Sequence, residues 1–355
     1  MNYILHGATN WGSSNFGDFI YGNEIYSYLK NSDENNMVSF HQPSDYFKKY
    51  ISGYNDSKRT SIKDADCLVY IPGGYFGEGH GARLFDVLIQ SWRFMPFGLL
   101  GVLKKKKILI LGVGAGPIKH IVMLWPIKRI CSKSQLVTVR DEASKVALER
   151  LGIEKIRDYG DMILAYDLEN KAMETTQTRT IRENASGKKI LLVHYNHSAE
   201  ALEIFAKALN AFLKSNNDYY VVVAADSVLP YEQEYYERFK SSVVIETHHY
   251  LYEDPYEMLQ LLKMSDAVLT CKLHVGVVAL MFCKSVICAA EHPEKTKRFY
   301  AQIGQSERCV SLYDTTSEQV AELLEQYSSI PGRIPETVSL NAKQHWKALK
   351  EAINL

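Results

Sequence analysis

Ala267-Val-Leu-Thr-Cys-Lys-Leu-His-Val-Gly-Val-Val-Ala-Leu-Met281 decides the fold. Its first four residues are a continuous apolar run, the pattern of a strand covered on both faces of a parallel sheet. A turn of two or three residues follows, and a helix opens near Leu273 or His274. Strand, tight turn and helix make one step of an open α/β sheet. In such sheets ligands settle beyond the carboxyl ends of the strands, where a helix N-terminus adds free N–H groups and a positive dipole end. Lys272 and His274 occupy that edge, one able to supply charge and the other to move a proton near neutral pH. An anionic ligand is the natural guest, while a histidine at a helix start also serves as a satisfied structural group.

The same step recurs along the chain. Apolar runs predict strands at Tyr3–His6, Cys67–Ile71, Ile108–Leu111, Leu136–Val139, Ile190–His194, Tyr219–Ala224, Val243–Glu246, Ala267–Thr270 and Ser285–Ala289. Helical spacing fits Glu142–Leu151, closed by Gly152, and also Ala199–Asn216, Glu318–Tyr327 and Ala342–Ile353. Between Asn170 and Lys189 the composition turns polar with little periodicity, which suits an interdomain crossing. The expectation is α/β, two doubly wound Rossmann-like domains facing a cleft: residues 1–175 on the acceptor side, 186–335 on the donor side, and a C-terminal helix over 336–355.

The totals narrow the function. The 355 residues carry 41 basic and 41 acidic side chains, so no sustained cationic excess speaks for nucleic acid. Of six scattered cysteines with no C-x-x-C pair, most lie in apolar runs and read as buried free thiols; a reducing compartment fits, and a metal site is not expected. No signal peptide precedes the first strand and no apolar run reaches the length of a membrane span, so a cytoplasmic protein is expected.

Three glycine-rich segments follow strands. Gly7-Ala-Thr-Asn-Trp-Gly-Ser-Ser-Asn-Phe-Gly-Asp18 leads into a helix, with Asp18 either capping it or acting as an acceptor-binding or base carboxylate. Pro72-Gly-Gly-Tyr-Phe-Gly-Glu-Gly-His-Gly81 places Gly73, Gly74, Glu78 and His80 in a loop suited to close approach of a ligand, or to topology alone. Leu111-Gly-Val-Gly-Ala-Gly-Pro117 reads as a third loop, whose spacing departs from the dinucleotide fingerprint. Arg140 ends the Leu136–Val139 strand, where its fork suits a carboxylate or phosphate, or an ion pair with Asp141 or Asp161.

Taken together, these segments resemble the polysaccharide pyruvyl transferase family. The matching pieces are Asn15-Phe-Gly-Asp18, Pro72-Gly-Gly-Tyr-Phe76, Gly112-Val-Gly-Ala-Gly-Pro117, Val139-Arg-Asp-Glu-Ala-Ser144 with Leu151-Gly152, Lys272-Leu-His274, and Lys295 ahead of Gly304. The resemblance implies a glycosyltransferase-B-like pair of domains. It also implies transfer of the enolpyruvyl group of phosphoenolpyruvate onto two hydroxyls of a sugar, forming a ketal and releasing phosphate without a cofactor. Arg140, Lys272 and His274 would then contact the donor, with Leu273 between them and Lys295 as a further cation. His274 would act as general acid; Asp18, then Glu78, then His80 would be the candidate bases, and Asn15, Gly73 and Gly74 would line the substrate. Lys272 departs from the family's usual arginine, keeping charge but losing the bidentate fork. Gly160-Asp161-Met162 stands where the family usually has aspartate-proline.

The acceptor would be a sugar or lipid-linked oligosaccharide of a bacterial capsule or exopolysaccharide. Ser91–Lys107 and His120–Arg129 join aromatics to lysines and suit peripheral contact with the inner membrane face, or a core helix followed by a solvated lysine turn. Two rivals share the architecture: a nucleotide-sugar-dependent glycosyltransferase, disfavoured by the acid-free helix after His274, and a non-catalytic sugar- or phosphate-binding relative. A metalloenzyme using His6, His248 and His249 carries little weight, because no ligand spacing supports it.

Overall fold

The computed structural model describes residues 1–58, 60–79, 81–195 and 198–354. Their contacts divide the chain into two compact units. The first comprises Met1–Ser14, Asp18–Tyr166 and Glu336–Leu355; the second comprises Asn15–Gly17 and Asp167–Pro335.

The first unit contains β1 (Asn2–His6), β2 (Met37–Phe40), β3 (Cys67–Tyr70), β4 (Gly73–Phe76), β5 (Lys107–Ala115), β6 (Leu136–Val139) and β7 (Ile156–Asp158). They form a parallel sheet in the order β2-β1-β3-β5-β6-β7, with β4 against the far end of β5. The second unit contains β8 (Lys189–His194), β9 (Tyr219–Ala224), β10 (Thr247–Tyr250), β11 (Ala267–Thr270), β12 (Ser285–Ala290) and β13 (Cys309–Ser311). Its parallel order is β10-β9-β8-β11-β12-β13. Strands β3, β6, β11 and β12 are buried along their whole length. Such strands need helices over both faces, and each unit is therefore a doubly wound, Rossmann-like α/β layer structure.

The cores follow from the apolar runs. Leu68, Tyr70, Ile108, Ile110 and Val137 centre the first, and Leu191, Val193, Val221, Leu269 and Ile287 centre the second. Each such side chain contributes about 1.5–3 kcal/mol by leaving water. In each sheet the strand order reverses once: between β1 and β3 in the first unit, and between β8 and β11 in the second. The helices that follow these strands leave in opposite directions and open a crevice at the strands' carboxyl ends.

Several expectations need correction. The strand placed at Val243–Glu246 forms instead at Thr247–Tyr250. Val244 is exposed there, while His248 and His249 pack on Tyr220 and Tyr236 at the sheet edge, so aromatic contacts outweigh the β-branched run. Parts of the glycine-rich segments after β3 and Leu111 are strand rather than loop: Gly73–Phe76 and the stretch up to Ala115. β5 runs on to Ala115 through a register shift at Gly112 (φ +53°), and β4 pairs beside it. The polar stretch after Asn170 contains a helix, Thr176–Ala185, started by a reciprocal Thr175/Thr178 cap and buried along Thr178, Ile181 and Ala185. Two helices, Glu336–Ala342 and Gln344–Ile353, replace the single C-terminal one. His345 ties them to the first unit through Thr138 Oγ1 and the Gly160 carbonyl, each 2.9 Å away.

Candidate functional site

The second unit's switch point collects its charged groups. β8 ends in His194, β9 leads through Ala225 to Asp226, and β11 ends in Thr270 just before Lys272. An apolar strand delivers each of them to the same sheet edge. His194 and Asp226 are buried, with His194 Nε2 3.5 Å from Asp226 Oδ1, an ion-pair distance rather than a short hydrogen bond. An Nε2–H facing that carboxylate leaves His194 Nδ1 to accept the Thr270 hydroxyl proton over 3.1 Å. Thr270 Oγ1 in turn accepts the Lys272 backbone N–H at 3.0 Å, which fixes the turn into the helix Leu273–Met281.

Asn15–Gly17 completes this edge. Asn15 Nδ2 donates to Asp226 Oδ2 at 2.7 Å, and the Phe16 N–H donates to the Asp226 carbonyl at 2.8 Å. Gly17 lies against the His274 ring so closely that a Cβ there would stand 2.1 Å from Nδ1. Burial raises the Asp226 pKa, but His194, Lys272 and Asn15 overcome it and hold the carboxyl well below the usual carboxylate range. Lys272 pairs with Glu291 at 3.4 Å; burial works against its charge, while Asp226 and Glu291 hold its pKa up. His292, beside Lys295 and Lys272, is pushed down to about 4 by burial and by those two ammonium groups, and is neutral at pH 7. A cluster of acidic and basic side chains thus surrounds the start of the helix that carries Leu273 and His274.

The first unit's edge is organised differently. Arg140 follows β6 and is buried, with its guanidinium laid on Gly114 and facing Gly74. A Cβ on Gly114 would fall 2.3 Å from an Arg140 nitrogen, so the glycine at this point of β5 serves to admit the side chain. Arg140 Nε stands 3.5 Å from Asp141 and has no hydrogen-bond partner. Asp141 caps the next helix through Ser144, and Asp161 accepts the Tyr21 hydroxyl at 2.5 Å. Asp18 lies in the field of Tyr75 and of Arg93, which itself clamps Asn10 at 2.7 and 2.9 Å.

The sequence-predicted residues therefore fall into two groups. Asn15, Lys272, Leu273, His274 and Lys295 belong to the second unit, and Asp18, Gly73, Gly74, Glu78 and Arg140 to the first. Glu78 is held by the Lys119 and His120 N–H groups at 2.6 and 2.7 Å and by the His120 ring at 3.0 Å. Burial raises its pKa, yet these donors bring it below normal, and the carboxylate anchors a loop. A Cβ on Gly73 would strike the Tyr75 ring, so that glycine answers a packing need. His80 lies outside the described residues. Sequence reasoning passed over His194, Asp226, Glu291 and His292, although each is the last residue of a strand or one or two beyond it. His248 bonds Tyr220, and His249 stacks on Tyr236 and pairs with Glu232; His6 Nε2–H donates to the Phe94 carbonyl among aromatic rings. Among the described residues no cluster of three or more His, Cys, Asp or Glu could hold a metal ion, and no helix is long and apolar enough to cross a membrane.

Comparison with known proteins gives the fold and the family separately. A UDP-GlcNAc 2-epimerase from Neisseria meningitidis bound to UDP-GlcNAc superposes with TM-score 0.63 at 13% identity, over 99% of each chain. S. aureus MnaA with UDP gives 0.64 at 11% identity, over 100% of this chain and 97% of that one. Anabaena HepE with UDP-glucose gives 0.58 at 11%, over 100% and 98%. At these identities the likeness establishes the glycosyltransferase-B-like architecture alone. No curated protein matches the sequence. The family model for polysaccharide pyruvyl transferase matches residues 15–293, from the Asn15 that bonds Asp226 to the Pro293 that opens the helix carrying Lys295. The chain belongs to the polysaccharide pyruvyl transferase family.

Proposed function

We propose that the chain transfers the enolpyruvyl group of phosphoenolpyruvate onto two hydroxyls of one sugar in a bacterial polysaccharide or its lipid-linked precursor, leaving a cyclic pyruvate ketal and phosphate. The observation that carries this reading is the packing of Gly17 on His274 beside the Asn15–Asp226–Lys272 set. Two separate family motifs meet there at the second unit's switch point.

The donor carries a carboxylate and a phosphate, and Lys272, Lys295 and the N–H groups opening the helix at Leu273 offer charge for them. Arg140 is assigned to the same donor on the family resemblance and on its buried Nε, which has no hydrogen-bond partner beyond the 3.5 Å ion pair with Asp141. His274 gives a proton to the methylene carbon, which becomes a methyl group, and C2 takes on oxocarbenium character. A sugar hydroxyl attacks C2 and loses its proton, with Asp18 as the first candidate base. The C2–O bond to phosphate breaks, the departing phosphate takes up the first hydroxyl's proton from the base, and the second hydroxyl closes the ketal as its proton returns to His274. Asp226 and His194 act as positioning residues: they orient Asn15, Thr270 and Lys272 about the helix start.

The test is incubation with phosphoenolpyruvate and acceptors containing galactose, mannose or N-acetylmannosamine, read by product mass and phosphate release. A ketal product from wild type, absent with His274→Ala, supports the reading. Phosphoenolpyruvate binding without phosphate release from any acceptor would indicate a non-catalytic relative. The nucleotide-sugar reading lacks support at the site, since no acid lies in the helix Leu273–Met281.

A further inference from the structure

The first unit carries an apolar face that its own core does not use. In the helix Leu84–Leu103, the inner residues Val87, Phe94, Met95, Gly98 and Gly101 are buried, Gly98 lying hard against the Tyr70 hydroxyl of β3. Leu84, Phe85, Leu88, Ile89, Trp92 and Leu103 point the other way and are exposed. At 100° per residue they fill one stripe about 140° wide. The helix Ile121–Cys131 packs beside it and adds Ile121 and Trp125. Trp92 is 72% exposed and Trp125 58%, and between them runs a groove of about 510 Å³ floored by Met95, Leu99 and Pro126. Contiguous apolar surface of this kind marks an interaction site.

Charge identifies the occupant. The whole chain is electrically balanced, yet no acidic residue occurs between Asp86 and Asp141, a stretch with ten lysines and arginines. Lys128 and Arg129 sit one turn or so beyond Trp125 on the same helical face, both exposed, and Lys104 and Lys105 cap the far end of the apolar stripe, also exposed. Tryptophans flanked by cations on a face with no acid suit the headgroup layer of a negatively charged bilayer, where indole rings sit at the interface and each nearby lysine adds about 1 kcal/mol. A protein partner with an acidic groove-filling segment would need no pair of exposed tryptophans at the cationic rim. We infer that this face of the first unit docks on anionic lipid membrane, lying in the interface without spanning it.

Flotation of the full-length protein with phosphatidylcholine vesicles, with or without phosphatidylglycerol, tests the inference. Wild type is expected to float with the anionic vesicles and to be released by high salt. Trp92→Ser with Trp125→Ser, and separately Lys104–Lys107→Gln, should each weaken binding at least about tenfold. Trp92, Trp125, Lys104 and Lys105 are exposed, while Lys106 and Lys107 are half-buried, and unchanged circular dichroism and melting temperature keep either variant interpretable. Wild type that stays with the soluble fraction, or variants that float undiminished, would overturn the proposal. So would a concentration-dependent dimer that the tryptophan variant abolishes, since a second copy would then cover the face. None of these outcomes bears on ketal formation with a soluble acceptor.

Discussion

The two sheet edges use the same geometry for different electrostatic ends. At the second unit's switch point, the Asp226 carboxyl is held well below the usual range and Lys272 pairs with Glu291 beside a helix start. At the first unit's switch point, β1 ends in His6, which is buried among Tyr70, Phe94 and His41 and pushed down to about 3, first by burial and then by His41. One edge gathers its charges about a helix start, and the other sets an aromatic-lined histidine apart from the buried Arg140, which pairs with Asp141. An α/β crevice is therefore no guide to chemistry until the side chains at the strand ends are known.

Removing the proposed acid should break the comparison most sharply. His274→Ala is expected to lower ketal formation by about three orders of magnitude without changing the fold, measured as phosphate release beside circular dichroism. Asp226→Asn comes next, because it leaves Lys272 with less opposing charge at a buried site. We expect a loss of about 3 kcal/mol in unfolding free energy. Wild-type Asp226 has a depressed folded pKa, so its contribution is full above the unfolded carboxylate value near 4 and fades as pH falls below it. Denaturant titrations should show that acid-side loss in wild type and its absence in the variant.

Glycine substitutions then compare the two edges directly. Gly17→Ala must displace the His274 ring and should cost about a hundredfold in kcat. Gly114→Ala must displace the Arg140 guanidinium, and should raise the KM for phosphoenolpyruvate about tenfold with kcat little changed. Equal effects on kcat from both would show that the edges do not divide the work as proposed. The smallest effect belongs to His6. Its folded pKa lies below the unfolded value near 6.5, so the stability it contributes is full above that pH and drains away on acidification toward 3. His6→Phe should reduce the stability lost between about pH 7 and pH 5 by about 1–2 kcal/mol, since Tyr70 still donates to the Phe94 carbonyl.

The apolar runs made most strands legible, because a strand buried on both faces must read as Val, Ile and Leu whatever surrounds it. Val243–Glu246 misled because its two valines face different ways: Val243 is buried in the core while Val244 is exposed, and the edge strand forms further on, where His248 and His249 pack on aromatic rings. Glycines were visible as permissive positions, but not their purpose. Gly114 makes room for Arg140, Gly17 for His274, and Gly73 for Tyr75.

The sequence by itself determined the α/β class, the strand-end placement of Lys272, His274 and Arg140, and the family, since each rests on local pattern or on motif order along the chain. Only the tertiary structure decided that Asn15 bonds Asp226, that Glu78 is spent on the Lys119–His120 turn, and that His345 returns to Thr138. Those contacts join residues 41 to 211 positions apart, or tie a carboxylate to backbone N–H groups. Periodicity carries no information about them, because they are fixed by how strands are ordered in a sheet rather than by which residues form them.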